Sequence, residues 1–185
     1  MIRSQIIAGT VCLMSLFAAG AAHADDSPTA GHASAALLVG DGFKDGIGLG
    51  LGARGGYTLP MNLYLGGTFI YHLGKSQDGI SEHFYYFGVE GGYDLAAGPL
   101  IVRPYLGLGD STVTASGNIA GFGSVSASSS SLALWPGATA LFPIGNVLVG
   151  ADARYVIVTS SSTDSSGNSS TPSVFSLFAT VGYQF

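Results

Sequence analysis

The chain has 185 residues, 47% of them apolar and only 9% charged, with a formal net charge of −5 and a mean hydropathy of +0.43. Soluble domains carry roughly 25% charged residues, so an ordinary water-facing surface is excluded. The acidic balance likewise excludes nucleic acid as a partner, because that requires clustered Lys and Arg.

The chain opens with Met1-Ile2-Arg3, an apolar run from Ile6 to Ala22, and the small-x-small triplet Ala22-His23-Ala24. This reads as a secretory signal peptide over residues 1–24, too short in its apolar part for a spanning helix and ending at a cleavage site. Residues 25–185 are then expected to form one domain. The one cysteine, Cys12, lies inside the leader without a lipoprotein-type context, so no disulfide, thiol or cysteine metal site is expected after cleavage.

After the leader no stretch approaches the ~18 uninterrupted apolar residues of a membrane helix. A chain suited to lipid but without such helices is left with the closed barrel, the other structure that satisfies every backbone polar group inside a bilayer. Period-two alternation bears this out in eight segments of about ten residues. The first runs from about Ala33 to Gly40. The second, Ile47–Tyr57, aligns Leu49, Leu51, Ala53 and Tyr57; the third aligns Leu63, Leu65, Phe69, Tyr71 and Leu73; the fourth aligns Tyr85, Phe87, Val89, Tyr93 and Leu95.

The fifth segment aligns Leu100, Val102, Pro104, Leu106 and Leu108, and the sixth Leu132, Leu134, Pro136, Ala138, Ala140 and Phe142. Proline removes a ladder donor, so local bulges are expected at Pro104 and Pro136. The seventh aligns Val147, Val149, Ala151, Ala153, Tyr155 and Ile157; the eighth aligns Phe175, Leu177, Ala179, Val181, Tyr183 and Phe185. Three connections, at 59–62, 96–99 and 143–146, are tight and rich in Pro, Gly and Asn. Those at 41–46, 74–82, 111–128 and 159–173 are longer and more polar, which is the asymmetry of short periplasmic turns against long outer loops. The fold class predicted is all-β, an eight-stranded antiparallel up-and-down transmembrane β-barrel.

The face opposite the lipid carries many glycines and five charges, Arg54, Glu90, Arg103, Asp152 and Arg154. Counting from a turn at Ala96 and Ala97 places Glu90 and Arg103 nearly opposite each other, while Asp152 and Arg154 are same-face neighbours, so an internal salt-bridge network is expected. Large side chains such as Tyr64, Tyr86, Tyr105 and Trp135 should fill the interior, since eight strands enclose little more than side chains.

These residues resemble the small outer-membrane barrels of the OmpA transmembrane-domain, OmpX and Opa type. Val181, Tyr183 and Phe185 look like the terminal signal read by the barrel-assembly machinery, which wants a final aromatic and apolar residues at alternate positions before it. The resemblance implies the outer membrane of a Gram-negative bacterium, with outer-membrane lipid and lipopolysaccharide as surroundings.

Two enzyme classes share that architecture, the lipid A deacylases and the palmitoyltransferases. The deacylase His-x-Ser pair occurs here only as His32-Ala33-Ser34, on the first strand, the wrong strand and the wrong side. His72, Asp78, Glu82 and His83 flank the second outer loop but lack a His-x-His or His-x-x-x-His spacing. No nucleophile elbow, phosphate loop or dinucleotide motif occurs. The reading is therefore of a protein that is not an enzyme and uses no cofactor or metal, with a structural or surface-interaction role through its loops; a lipid A-modifying enzyme and a narrow channel are the alternatives.

Overall fold

The computed structural model describes residues 27–185 apart from 45–46, 75, 78–79, 120–122, 160–161, 164–168 and 171–172. The signal-peptide expectation for residues 1–24 lies outside the described residues. Eight long strands form the molecule: β1 (Ala33–Lys44), β2 (Ile47–Thr58), β3 (Leu63–Gly74), β4 (Ile80–Tyr93), β5 (Leu100–Ile119), β6 (Gly123–Ile144), β7 (Val147–Val158) and β8 (Ser173–Gln184).

Each strand pairs antiparallel with its neighbour in sequence, and β1 pairs with β8 from Ser34↔Gln184 to Gly42↔Ser176. The sheet is thereby a closed eight-stranded barrel, and closure removes the free edges through the wall. Alternation decides which way each side chain points. Leu37 is 71% exposed and its neighbour Leu38 only 2%, although both are leucines. Through the eight-stranded part of the wall the exposed side is the apolar one, the inverse of a soluble barrel and the pattern that lipid requires. Tyr57, Phe142, Tyr183 and Phe185 lie exposed toward one end of the wall, and Phe43, Tyr155 and Phe175 toward the other. Such paired aromatic girdles mark the two membrane interfaces.

The short turns are set by left-handed backbone. Gly98 (φ 61°) and Gly145 (φ 60°) open two-residue loops between Ala97↔Leu100 and Ile144↔Val147, as the right-handed twist of hairpins demands. The β2–β3 turn instead uses Asn62 at φ 65°, a residue type that tolerates this region.

Three expectations are corrected. The 111–128 segment is largely strand rather than loop, because β5 and β6 stay paired from Ser111↔Ser131 to Ile119↔Gly123. Neither proline makes a bulge. Pairing holds the same register on both sides of Pro104 and Pro136, and the ladder lapses beside each on one side only, between Gly92↔Tyr105 and Leu95↔Val102, and between Leu134↔Ile157 and Gly137↔Arg154. A missing donor thus costs a local gap and no extra residue. The register shifts fall elsewhere, near the outer ends of β1–β2 and β2–β3. Finally, Glu90 stands opposite Gly107, not Arg103. The hairpin turns at Gly98-Pro99, two residues beyond the Ala96-Ala97 position assumed from sequence, and a two-residue shift of the turn moves a cross-strand partner by four.

Candidate functional sites in the lumen and at the outer rim

The lumen is filled in three layers. At its middle, Arg54 from β2 contacts Glu90 from β4 at 2.7 Å and Asp152 from β7 at 2.9 Å, while Arg154 contacts Asp152 at 2.7 Å and Glu90 at 3.5 Å. Two cations and two anions therefore alternate around the axis. Thr139 donates to Asp152 at 2.6 Å, the Tyr105 hydroxyl donates to it at 3.0 Å, and the Trp135 indole donates to Glu90 at 2.9 Å. Bare glycines directly opposite on the adjacent strand make room for these rings: a Cβ at Gly107 would overlap the Trp135 indole, and one at Gly137 the Tyr105 ring.

Toward the turn end lies a second cluster. Arg103 donates through Nη2 to Asp94 at 2.8 Å, stacks over Tyr64 at 3.7 Å from the ring centre, and reaches Thr58 at 3.3 Å. Of the five charges singled out from sequence, four converge in the middle layer and Arg103 stands apart with Asp94. Asp94 was missed, although it shares the inward parity of Glu90 and Gly92; its place beside a turn hid it.

The six buried charges of the lumen, Arg54, Arg103, Arg154, Glu90, Asp94 and Asp152, sum to zero among the described residues. Mutual pairing is what makes such burial tolerable, because an unpartnered ion out of water costs several kcal/mol. A neutral, occupied lumen offers no field to draw one sign of ion through it.

The outer half of the lumen is apolar. Leu38, Ile70, Phe84, Tyr86, Trp135, Val156 and Phe178 pack together there with almost no exposure. His72 is part of this plug, its ring 5.8 Å from Phe84 and 6.2 Å from Tyr86, and its Nδ1 bonded to the Gly48 carbonyl at 3.1 Å. His83 faces the other way, stacked on the outward Tyr71 at 5.9 Å. The two histidines thus sit on opposite faces of the wall and cannot share a metal or act together. Asp78 and the Glu82 side chain lie outside the described residues. His32 lies at the turn end, where its Nδ1 meets the Phe185 carbonyl oxygen at 2.9 Å.

At the outer rim the barrel is uneven. The β6–β7 ladder ends at Ala133↔Val158, yet β5 and β6 run on together for nine further pairs from Ser111↔Ser131. At ~3.4 Å per residue that is an extension of about 30 Å. β4 accompanies β5 out to Ile80↔Gly117, so three strands project as a sheet. On its far side, β6 has no ladder partner beyond Ala133 among the described residues, its Leu132 carbonyl accepting instead from the Thr159 N–H and hydroxyl, both at 2.9 Å, and Ser126–Ser130 are exposed. Serine and threonine tie the strands across: Ser111 donates to the Ser131 carbonyl at 3.0 Å, and the Thr112 and Ser130 hydroxyls meet at 2.8 Å.

Comparison with known proteins agrees with this architecture. The family profile of the outer membrane protein beta-barrel domain matches residues 9–185. Among solved structures, a major outer membrane protein from Thermus thermophilus superposes with a TM-score of 0.57 at 20% identity, covering 83% of this chain and 99% of that one. Ail, the attachment invasion locus protein of Yersinia pestis, in complex with the heparin analogue sucrose octasulfate, gives 0.53 at 22% identity over 83% of this chain and 97% of that one. Neisserial surface protein A gives 0.52 at 19% identity, covering 83% and 94%. At these identities the likeness is one of fold. No curated protein matches.

Proposed function

Since the chain belongs to the outer membrane protein beta-barrel family and resides in the outer membrane of a Gram-negative cell, we propose that it is a non-enzymatic surface-interaction protein working through its outer hairpins. The observation that carries this reading is the projecting β4–β6 sheet. A strand edge outside the membrane presents a row of unpaired N–H and C=O groups, a ready template for an extended segment of a partner. The segment from Asp110 to Leu132 contains no Lys or Arg and one carboxylate. Its chemistry favours main-chain and hydroxyl hydrogen bonding over capture of a polyanion such as the heparin analogue held by Ail.

Three features support the rest of this reading. The filled, neutral lumen speaks against a diffusion channel, and the opposed histidines speak against a catalytic rim. Val181, Tyr183 and Phe185 all face outward on the last strand, 55%, 45% and 69% exposed, available to the barrel-assembly machinery before insertion.

Replacing Thr112–Ser130 by Asn-Gly tests the role. Cells displaying the full-length protein should adhere to surfaces coated with extracellular-matrix proteins, and cells with the shortened hairpin should lose that adhesion, with both barrels folded in the outer membrane. Equal adhesion by the two would contradict the proposal.

A further inference from the structure

The residues just ahead of β1 do not trail away from the barrel. Ser27-Pro28-Thr29-Ala30 forms a turn closed by the Ala30 N–H donating to the Ser27 carbonyl at 2.8 Å, with proline where a turn wants a preset φ. Gly31 follows at φ 79°, the left-handed conformation that glycine adopts without strain. The Gly31 N–H then donates to the Thr58 carbonyl at 2.8 Å, and the Thr58 N–H returns to the His32 carbonyl at 3.0 Å. This folds the segment inward over the turn-end mouth.

There it meets the second charge cluster. The Thr29 hydroxyl donates to the Asp94 carboxylate, the Ser27 hydroxyl meets that of Thr29 at 2.9 Å, and the Ser27 N–H donates to the Asn62 side chain at 3.1 Å. Ser27 and Thr29 are 4% and 1% exposed, as buried as the aromatic plug at the other end. Asp94 is the common post: it also accepts from Thr58 and from two nitrogens of Arg103. A carboxylate receiving donors from the leading segment, β2 and β5 ties three separate elements across the mouth, and charge-assisted bonds of this kind are the stronger ones.

We propose that Ser27–Gly31 is a stopper that closes the periplasmic mouth of the lumen, latched by Asp94. Burial of the small polar side chains Ser27 and Thr29 has no apolar return, so the segment stays docked through its hydrogen bonds and should leave as a unit when the post is removed. The Arg54–Glu90–Asp152–Arg154 layer lies deeper and closes the lumen independently, so release of the stopper exposes the Asp94–Arg103 chamber to the periplasm without opening a through-pore.

Amide hydrogen exchange on the folded full chain in detergent, read by mass spectrometry, tests this. The peptide spanning residues 27–32 should be protected in the wild type and lose that protection, by orders of magnitude in rate, in Asp94→Ala, while peptides of β6 and β7 stay protected. Thr29→Val keeps the Arg103–Asp94 pair intact, so it serves should Asp94→Ala fail to give a folded barrel; it too should deprotect 27–32. An unprotected 27–32 peptide in the wild type, or unchanged protection in Thr29→Val, would overturn the proposal.

Discussion

The Trp135 indole N–H of β6 donates to the Glu90 carboxylate of β4 at 2.9 Å, passing over the bare backbone of Gly107 on the intervening β5. Trp135 is the one tryptophan of the chain, and its emission reports on the junction of the central charge layer with the apolar plug, since its ring also packs on Tyr86 at 5.2 Å.

Replacing Glu90 by Ala removes that acceptor and leaves Arg54 and Arg154 sharing the single carboxylate of Asp152. Deleting one partner of a buried ion pair costs about 3–5 kcal/mol. Urea unfolding in lipid vesicles, followed by Trp135 fluorescence, should show a loss of that order. A variant as stable as the wild type would show that the layer is not held together by its charges.

Gly107 gives a second, steric test. A methyl group there must displace the Trp135 ring, and overpacking of a filled interior typically costs about 1–3 kcal/mol. Gly91 faces outward, its nearest neighbour to an added methyl being Leu65 at 4.0 Å. Gly107→Ala should therefore shift the tryptophan emission and lower stability, whereas Gly91→Ala should do neither.

A lumen blocked by an ion layer and an apolar plug should not conduct. Planar bilayers holding the folded protein are expected to stay silent. Discrete conductance steps that change when Arg54 is neutralised would instead assign the protein to the narrow channels.

With His72 inside the wall and His83 outside it, the pair supports no shared chemistry. The lipid A mass spectrum of overexpressing cells should match that of cells lacking the protein. A new lipid A species, lost on His72→Ala, would restore the enzyme reading.

The barrel was legible in the sequence because lipid outside and packed rings inside impose a strict two-residue period, visible for example in Tyr85, Phe87 and Val89 against Phe84, Tyr86 and Glu90. The inward placement of Arg54, Asp152 and Arg154 followed from the same parity. The projecting sheet was not legible: Ser, Thr and Gly between Ser111 and Ser131 bury no apolar face, and their strands continue through backbone pairing begun lower in the barrel. Nor was the docked turn at Ser27–Gly31, because its partners Asn62, Thr58 and Asp94 are brought near it only by closure of the barrel.

The central claim is a closed, hydrogen-bonded β wall seated in the outer membrane, and electrophoresis of outer-membrane fractions with and without boiling tests it most directly. A closed barrel resists detergent until heated, so the unboiled protein should be found in that fraction and migrate differently from the boiled one. Identical migration of the two, with the protein in the periplasmic fraction, would contradict the barrel and point to a soluble β-sandwich.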